Sequence, residues 1–356
     1  MAGPQPHLKI DHDDLFSDEV EDYLAVQQNL RQSRSEAEPL AWWVRILYSN
    51  WFYLSLAAGV GAFLAWAIME PFFSDDETQE DGIASVLFFP VVSAGVGLFL
   101  GAAEGLICRN LGRAAWSALV GSAVGFVGGC ILLIPINLLF AFSSGMAMEF
   151  GGDLGPEGMP QGLGLLILMM GRATSWSLLG IPAGIGQGLA LRQGKMVLNG
   201  ALGGALGGLL GGLLFDPLSI FLPTAAGEAD LSRCVGFTLI GLMVGLFVGL
   251  IEGWTKNAWL LMKHGPLAGK QFVLHRDSTV LGSSPRCEIY LFKDPAIEPR
   301  HAIIHNRGGR FEIEDCDSPD GTWVNDRRVS GRTWLQSGDE IVLGQTVLEF
   351  SLRDTE

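Results

Sequence analysis

Between residues 51 and 255 the chain reads as six long apolar runs separated by short polar connections, at roughly 51–70, 84–108, 114–143, 162–191, 197–215 and 234–255. Each run matches the length of about 20 residues that a helix needs to cross the hydrocarbon core of a bilayer. The pattern therefore predicts six spanning helices. From Gly265 the pattern changes to short alternating runs, Gln271-Phe-Val-Leu, Arg310-Phe-Glu-Ile-Glu, Glu340-Ile-Val-Leu and Thr346-Val-Leu-Glu-Phe. Turn signals at Pro319-Asp320-Gly321 and Ser337-Gly338-Asp339 divide them. Alternation at period two with such punctuation predicts an all-β sandwich. Ahead of both zones, Ser17 to Arg34 has the composition of a short exposed helix. Trp42, Trp43, Arg45 and Trp51 cluster where apolar sequence begins, as amphipathic side chains do at a membrane surface. The expected division is an acidic cytoplasmic segment (1–45), a six-helix transmembrane domain (46–262) and a cytoplasmic sandwich (263–356).

The second and third runs recur as the fourth and fifth, 83 residues on and without a gap. Gly97, Gly101, Gly105, Gly121, Gly125 and Gly129 correspond to Gly180, Gly184, Gly188, Gly204, Gly208 and Gly212. Glu104 corresponds to Gln187, and Arg109 to Arg192. The sixth run carries the first half again, with Gly245, Gly249 and Gly253, Glu252 at the polar position and Lys256 nearby. Small residues every fourth position let helix backbones approach closely in lipid. The pattern thus predicts three equivalent hairpins in parallel repeat, the sixth helix pairing with the first through its strip Ala57, Gly61, Ala65. Glu104, Gln187 and Glu252 lie near one end of their helices. Pairing there with Arg109 and Lys256 is the favoured expectation over a pore lining, and Arg172 is expected to snorkel outward.

Charge fixes the expected orientation. Arg109, Arg113, Arg192, Lys195, Lys256 and Lys263 fill alternate connections, and Glu70, Asp75, Glu149, Asp153, Asp216 and Glu228 mark the others. By the positive-inside rule both termini are cytoplasmic. Composition agrees, with 49% hydrophobic and 17% charged residues against roughly 25% charged in soluble domains. A net charge of −15 argues against a nucleic-acid partner, since phosphate backbones need a basic surface. The start of the chain has no basic-then-apolar leader pattern. Cys108, Cys130, Cys234, Cys287 and Cys316 fall singly, which suggests reduced thiols and no metal site. No nucleophile–base set, phosphate loop or cofactor motif stands out, so neither catalysis nor a cofactor is expected.

The last zone also carries a resemblance. Thr279-Val-Leu-Gly282, Cys287-Glu-Ile-Tyr-Leu291, Arg300-His-Ala302, Ser318 to Asn325 and Leu335 to Gly344 follow, in order and spacing, the forkhead-associated (FHA) domain, a family of phosphothreonine-peptide readers. The resemblance implies an eleven-stranded sandwich with recognition loops at one end, carrying Gly282, Ser283, Ser284, Glu298, Arg300, His301, Asp320, Gly321, Thr322 and Asn325. It also implies that Ser283 stands where the family has its phosphate-contacting arginine, Glu298 where it has a serine, and Asp320 where it has an asparagine. Losing the guanidinium and gaining two carboxylates weakens a phosphate site. Gly282, Gly321, His301, Thr322 and Asn325 remain as scaffold. The expected function is a membrane-tethered recognition or scaffold protein in signalling. It would dock an unidentified cytoplasmic protein, such as a Ser/Thr-kinase-pathway component, through a degenerate phosphothreonine site. The alternative is a channel or transporter regulated through the sandwich.

Overall fold

The computed structural model describes residues 41–72, 83–151, 160–221 and 230–353. The helix expected at Ser17–Arg34 lies outside them. A short helix, Trp42–Leu47, leads into six long ones: α1 Asn50–Met69, α2 Ile83–Ile107, α3 Leu111–Phe150, α4 Leu163–Ala190, α5 Gly194–Phe221 and α6 Asp230–Thr255. All six are long and apolar enough to cross a membrane. The third runs 40 residues, well beyond the expected 114–143, because Pro135 does not end it and the polar Ser143-Ser144 step is absorbed within the helix.

Glycine sets how closely these helices pack. A Cβ on Gly97 would collide with the Gly121 carbonyl, one on Gly180 with that of Gly204, and one on Gly245 with that of Leu54. One helical turn on, Gly101, Gly184 and Gly249 meet the backbones of Ser117, Gly200 and Trp51 in the same way. So α2 pairs with α3, α4 with α5 and α6 with α1, and the contact between first and last helices exists. The second strip of α5, Gly203, Gly207 and Gly211, seats Val248, Val244 and Ile240 of α6. At the centre, Phe88, Phe89, Trp176, Phe215 and Phe237 pack ring against ring at centroid separations of 4.5 to 5.5 Å.

Two expectations change here. Arg172 does not snorkel: its guanidinium pairs with Asp216 at 2.9 Å and lies over the Phe215 and Phe140 rings. Asp216, read in the sequence as a connection residue, is fully buried inside α5, where an arginine counter-ion offsets its desolvation.

Eleven strands follow: β1 Ala258–His264, β2 Gln271–Val273, β3 Ser278–Gly282, β4 Ile289–Tyr290, β5 Ala302–Arg307, β6 Arg310–Asp315, β7 Thr322–Val324, β8 Arg327–Arg328, β9 Arg332–Leu335, β10 Glu340–Leu343 and β11 Thr346–Leu352. They form one sheet ordered β2-β1-β11-β10-β7-β8 and a second ordered β4-β3-β5-β6-β9. Leu260, Met262, Leu281, Ile304, Ile313, Ile341, Leu343 and Phe350 fill the space between. The zone boundary at 262/263 falls inside β1. Ala258-Trp-Leu-Leu-Met262 is so apolar that it reads as the tail of a helix, yet it pairs with β11 from Ala258 opposite Leu352.

Candidate functional site

The loops after β3, β4 and β6 meet at one end of the sandwich. Backbone bonds tie the first two together, Ser283 N–H to the Glu298 carbonyl (2.9 Å) and Ser284 N–H to that of Pro299 (3.3 Å). Gly282 is required here, because a Cβ would strike the Pro299 carbonyl. His301 is fully buried and braces the loop, its Nδ1 accepting from the Glu298 N–H at 3.1 Å. Its N–H bonds the Leu281 carbonyl, and its carbonyl receives the Cys316 N–H.

The third loop is held by Asp315. Its carboxylate accepts from the Ser318 hydroxyl (2.7 Å), the Ser318 N–H (3.0 Å) and the Thr322 hydroxyl (2.6 Å). Burial works against ionisation, but the hydrogen bonds from Thr322 and Ser318 outweigh it and hold the carboxyl below the usual aspartate range. Gly321 takes a left-handed φ of 71°. Asn325, also left-handed, donates to Asp339 (2.7 Å) and accepts from the Glu340 N–H (2.9 Å). Burial pushes the Cys316 and Cys287 thiols up, so both favour the protonated, unreactive form.

Glu298, Arg300 and Asp320 stand exposed on this end, with Ser283 and Ser284 half-buried beside them. One contributor escaped the sequence reading. Arg328 on β8 pairs across from Trp323, and its guanidinium lies against Gly321. The Arg327-Arg328 pair after the Asn325-Asp326 turn was the available signal.

The loop after β3 is also docked on the helices. Asn110 Nδ2 donates to the Pro285 carbonyl at 2.6 Å, and Arg113 to that of Glu288 at 3.0 Å. The membrane-zone polar positions gather at this junction, with Lys256 in electrostatic reach of Glu252 as expected but Arg113 rather than Arg109 beside Glu104. Glu104 accepts from Gln187 (3.2 Å) and lies 3.7 Å from Arg113, while Arg109 sits over the Phe292 ring. Glu252 faces His275 at 3.7 Å, while Lys256 bonds Gln271 (2.6 Å) and stacks on Trp259. Arg109 and Arg192 each occupy a left-handed cap after their helix (φ 52° and 54°), with exposed side chains.

An eleven-stranded sandwich with loop-borne polar groups at one end defines a protein-interaction module. It is an FHA domain: that family matches residues 279–344, and through this domain the chain belongs to the FHA proteins. Among curated relatives, "Oxoglutarate dehydrogenase inhibitor" of Corynebacterium jeikeium is 38% identical over 102 residues, 29% of this chain and 67% of that one. "Glycogen accumulation regulator GarA" of Mycolicibacterium smegmatis is 37% identical over 132 residues, 37% of this chain and 78% of that one. The chain spans about two thirds of the length of the Corynebacterium relatives it matches. A structure solved for phosphothreonine-dependent FHA domain interactions aligns at 25% identity with a TM-score of 0.26, covering 28% of this chain and all of that one.

Proposed function

We propose that this chain is a multi-pass membrane protein that holds its FHA domain against the cytoplasmic face as a non-enzymatic docking module for another protein, with little dependence on phosphate. The observation that carries the reading is the combination of Ser283, Glu298 and Asp320 at the recognition end with an intact loop scaffold of Gly282, His301, Thr322 and Asn325. A phosphate there would meet two exposed carboxylates and no family-position guanidinium. Arg286, Lys293 and Arg300 are the exposed cations in these loops, none at the family's phosphate-contacting position, and Arg328 is turned to the Pro319 carbonyl. Membrane insertion is supported by the six apolar helices and by exposed Trp42, Trp43, Trp51, Trp116 and Trp254 at the helix ends nearest the sandwich, where an interfacial aromatic belt belongs. The alternating loop charges support cytoplasmic termini. The ring-packed aromatic centre favours a scaffold over a channel, and the relatives' names as regulators and inhibitors fit docking in a signalling pathway, with a Ser/Thr-kinase-pathway component the class of partner.

The test is titration of phosphothreonine peptides and their unphosphorylated twins against the full chain in nanodiscs. Phosphorylated and unphosphorylated forms should bind within a few-fold of each other. Submicromolar binding that vanishes on dephosphorylation overturns the reading.

A further inference from the structure

Between the helix ends and the sandwich lies a cavity of about 470 Å³, within the range of roughly 300–1,000 Å³ common for small-molecule sites. Both halves of the molecule wall it: Tyr53, Glu104 and Glu252 from the helices, Gln193 from the turn between α4 and α5, and Lys270 and His275 from the sandwich. Lys270 is 2% exposed, and its ammonium has three N–H donors to place. It reaches the Tyr53 hydroxyl at 3.0 Å and Asn50 Oδ1 at 3.5 Å and lies 4.4 Å from the Tyr53 ring. Among the described residues it makes no ion pair with a carboxylate. On the opposite count, the Gln193 Oε1 and His275 Nε2 atoms are buried without a hydrogen-bond partner. The His275 side chain is 7% exposed, and its Nε2 stands 3.7 Å from Glu252 without a hydrogen bond.

Buried polar groups left unspent are costly. Here the unpaired atoms are the Gln193 oxygen and the His275 ring nitrogen, set beside a lysine with one N–H beyond its two bonds and beside the Glu252 carboxylate. A plain anion would meet Glu104 and Glu252, and a plain cation would meet Lys270 and Arg113. A molecule carrying both charges satisfies each, its carboxylate on Lys270 and its ammonium between Gln193 and Glu252. We propose that this cavity binds a small zwitterion of the amino-acid class. Because the sandwich forms one wall, the occupant would fasten it to the helices. The inference stands independently of how the recognition loops bind a peptide.

The experiment measures thermal unfolding of the full chain in detergent with each of the twenty amino acids singly, and with acetate and methylamine as single-charge arms. At saturation at least one amino acid should raise Tm by about 3 °C or more, while acetate and methylamine do not. Gln193→Met and Lys270→Met should each weaken the apparent affinity at least about tenfold. If Lys270→Met fails to fold, Gln193→Met decides, since the oxygen it removes makes no hydrogen bond within the protein. No shift with any amino acid, an equal shift with acetate or methylamine, or unchanged affinity in Gln193→Met overturns the proposal.

Discussion

Asp315 concentrates the stability of the recognition end in one carboxylate. Its folded-state carboxyl ionises more readily than the reference aspartate value of 3.8. Its hydrogen bonds therefore contribute fully above that value, and the contribution is lost as pH falls through the lower folded value. The sandwich should lose Tm as pH falls below about 4, and Asp315→Asn should flatten that fall while lowering Tm at neutral pH. Melting curves over that range check both. At the exposed tips, the combined change Ser283→Arg, Glu298→Ser and Asp320→Asn should raise affinity for phosphothreonine peptides about 10- to 100-fold, because one charge-assisted hydrogen bond is worth roughly 1.5–3 kcal/mol. Peptide titration measures it, and an unchanged affinity would mean that the loop backbone is not set for phosphate.

For the helices, the glycine contacts are the sharpest test of packing. Gly204 and Gly208 sit against the carbonyls of Gly180 and Trp176, so leucine at either should cost about 1–3 kcal/mol through overpacking. The control is Leu206→Ile, at a position 44% exposed. Leu209 and Leu210 are half-buried and serve less well. Equal melting temperatures in detergent for the glycine and leucine variants would refute the packing role. The helix count and the pairing of α1 with α6 were legible because apolar length and glycine spacing are local signals. The eleven strands were legible through family spacing. Three things were not. The strand β1 hides in an apolar run continuous with α6, and Arg172–Asp216 joins residues 44 positions apart. The junction built by Asn110, Lys270 and His275 depends on how two separately patterned units are set against each other, and no local periodicity encodes that.

At the scale of the whole molecule, the charge alternation predicts that single cysteines at Thr78, Gly155 and Ala226 react with an impermeant thiol reagent from outside, whereas one at Lys195 does not. A protected 226 would overturn the third hairpin. The passage from helix to sandwich has further weight. Only Lys256 and Asn257 separate α6 from β1, a span of at most about 7 Å. Arg353, just after the last strand, bonds back through its N–H to the Asn257 carbonyl and through its guanidinium to that of Trp254. The passage is therefore latched from both ends of the domain. A reader on a long flexible tether sweeps a volume and finds its target by local concentration. This one is closer to a stylus on a fixed arm. With the helices in a bilayer as proposed, its contact height above the lipid would be set by the protein itself, so a target would qualify by presenting its segment at that height, and a partner rooted in the same membrane too short a stalk away, or too long, would be passed over whatever its sequence.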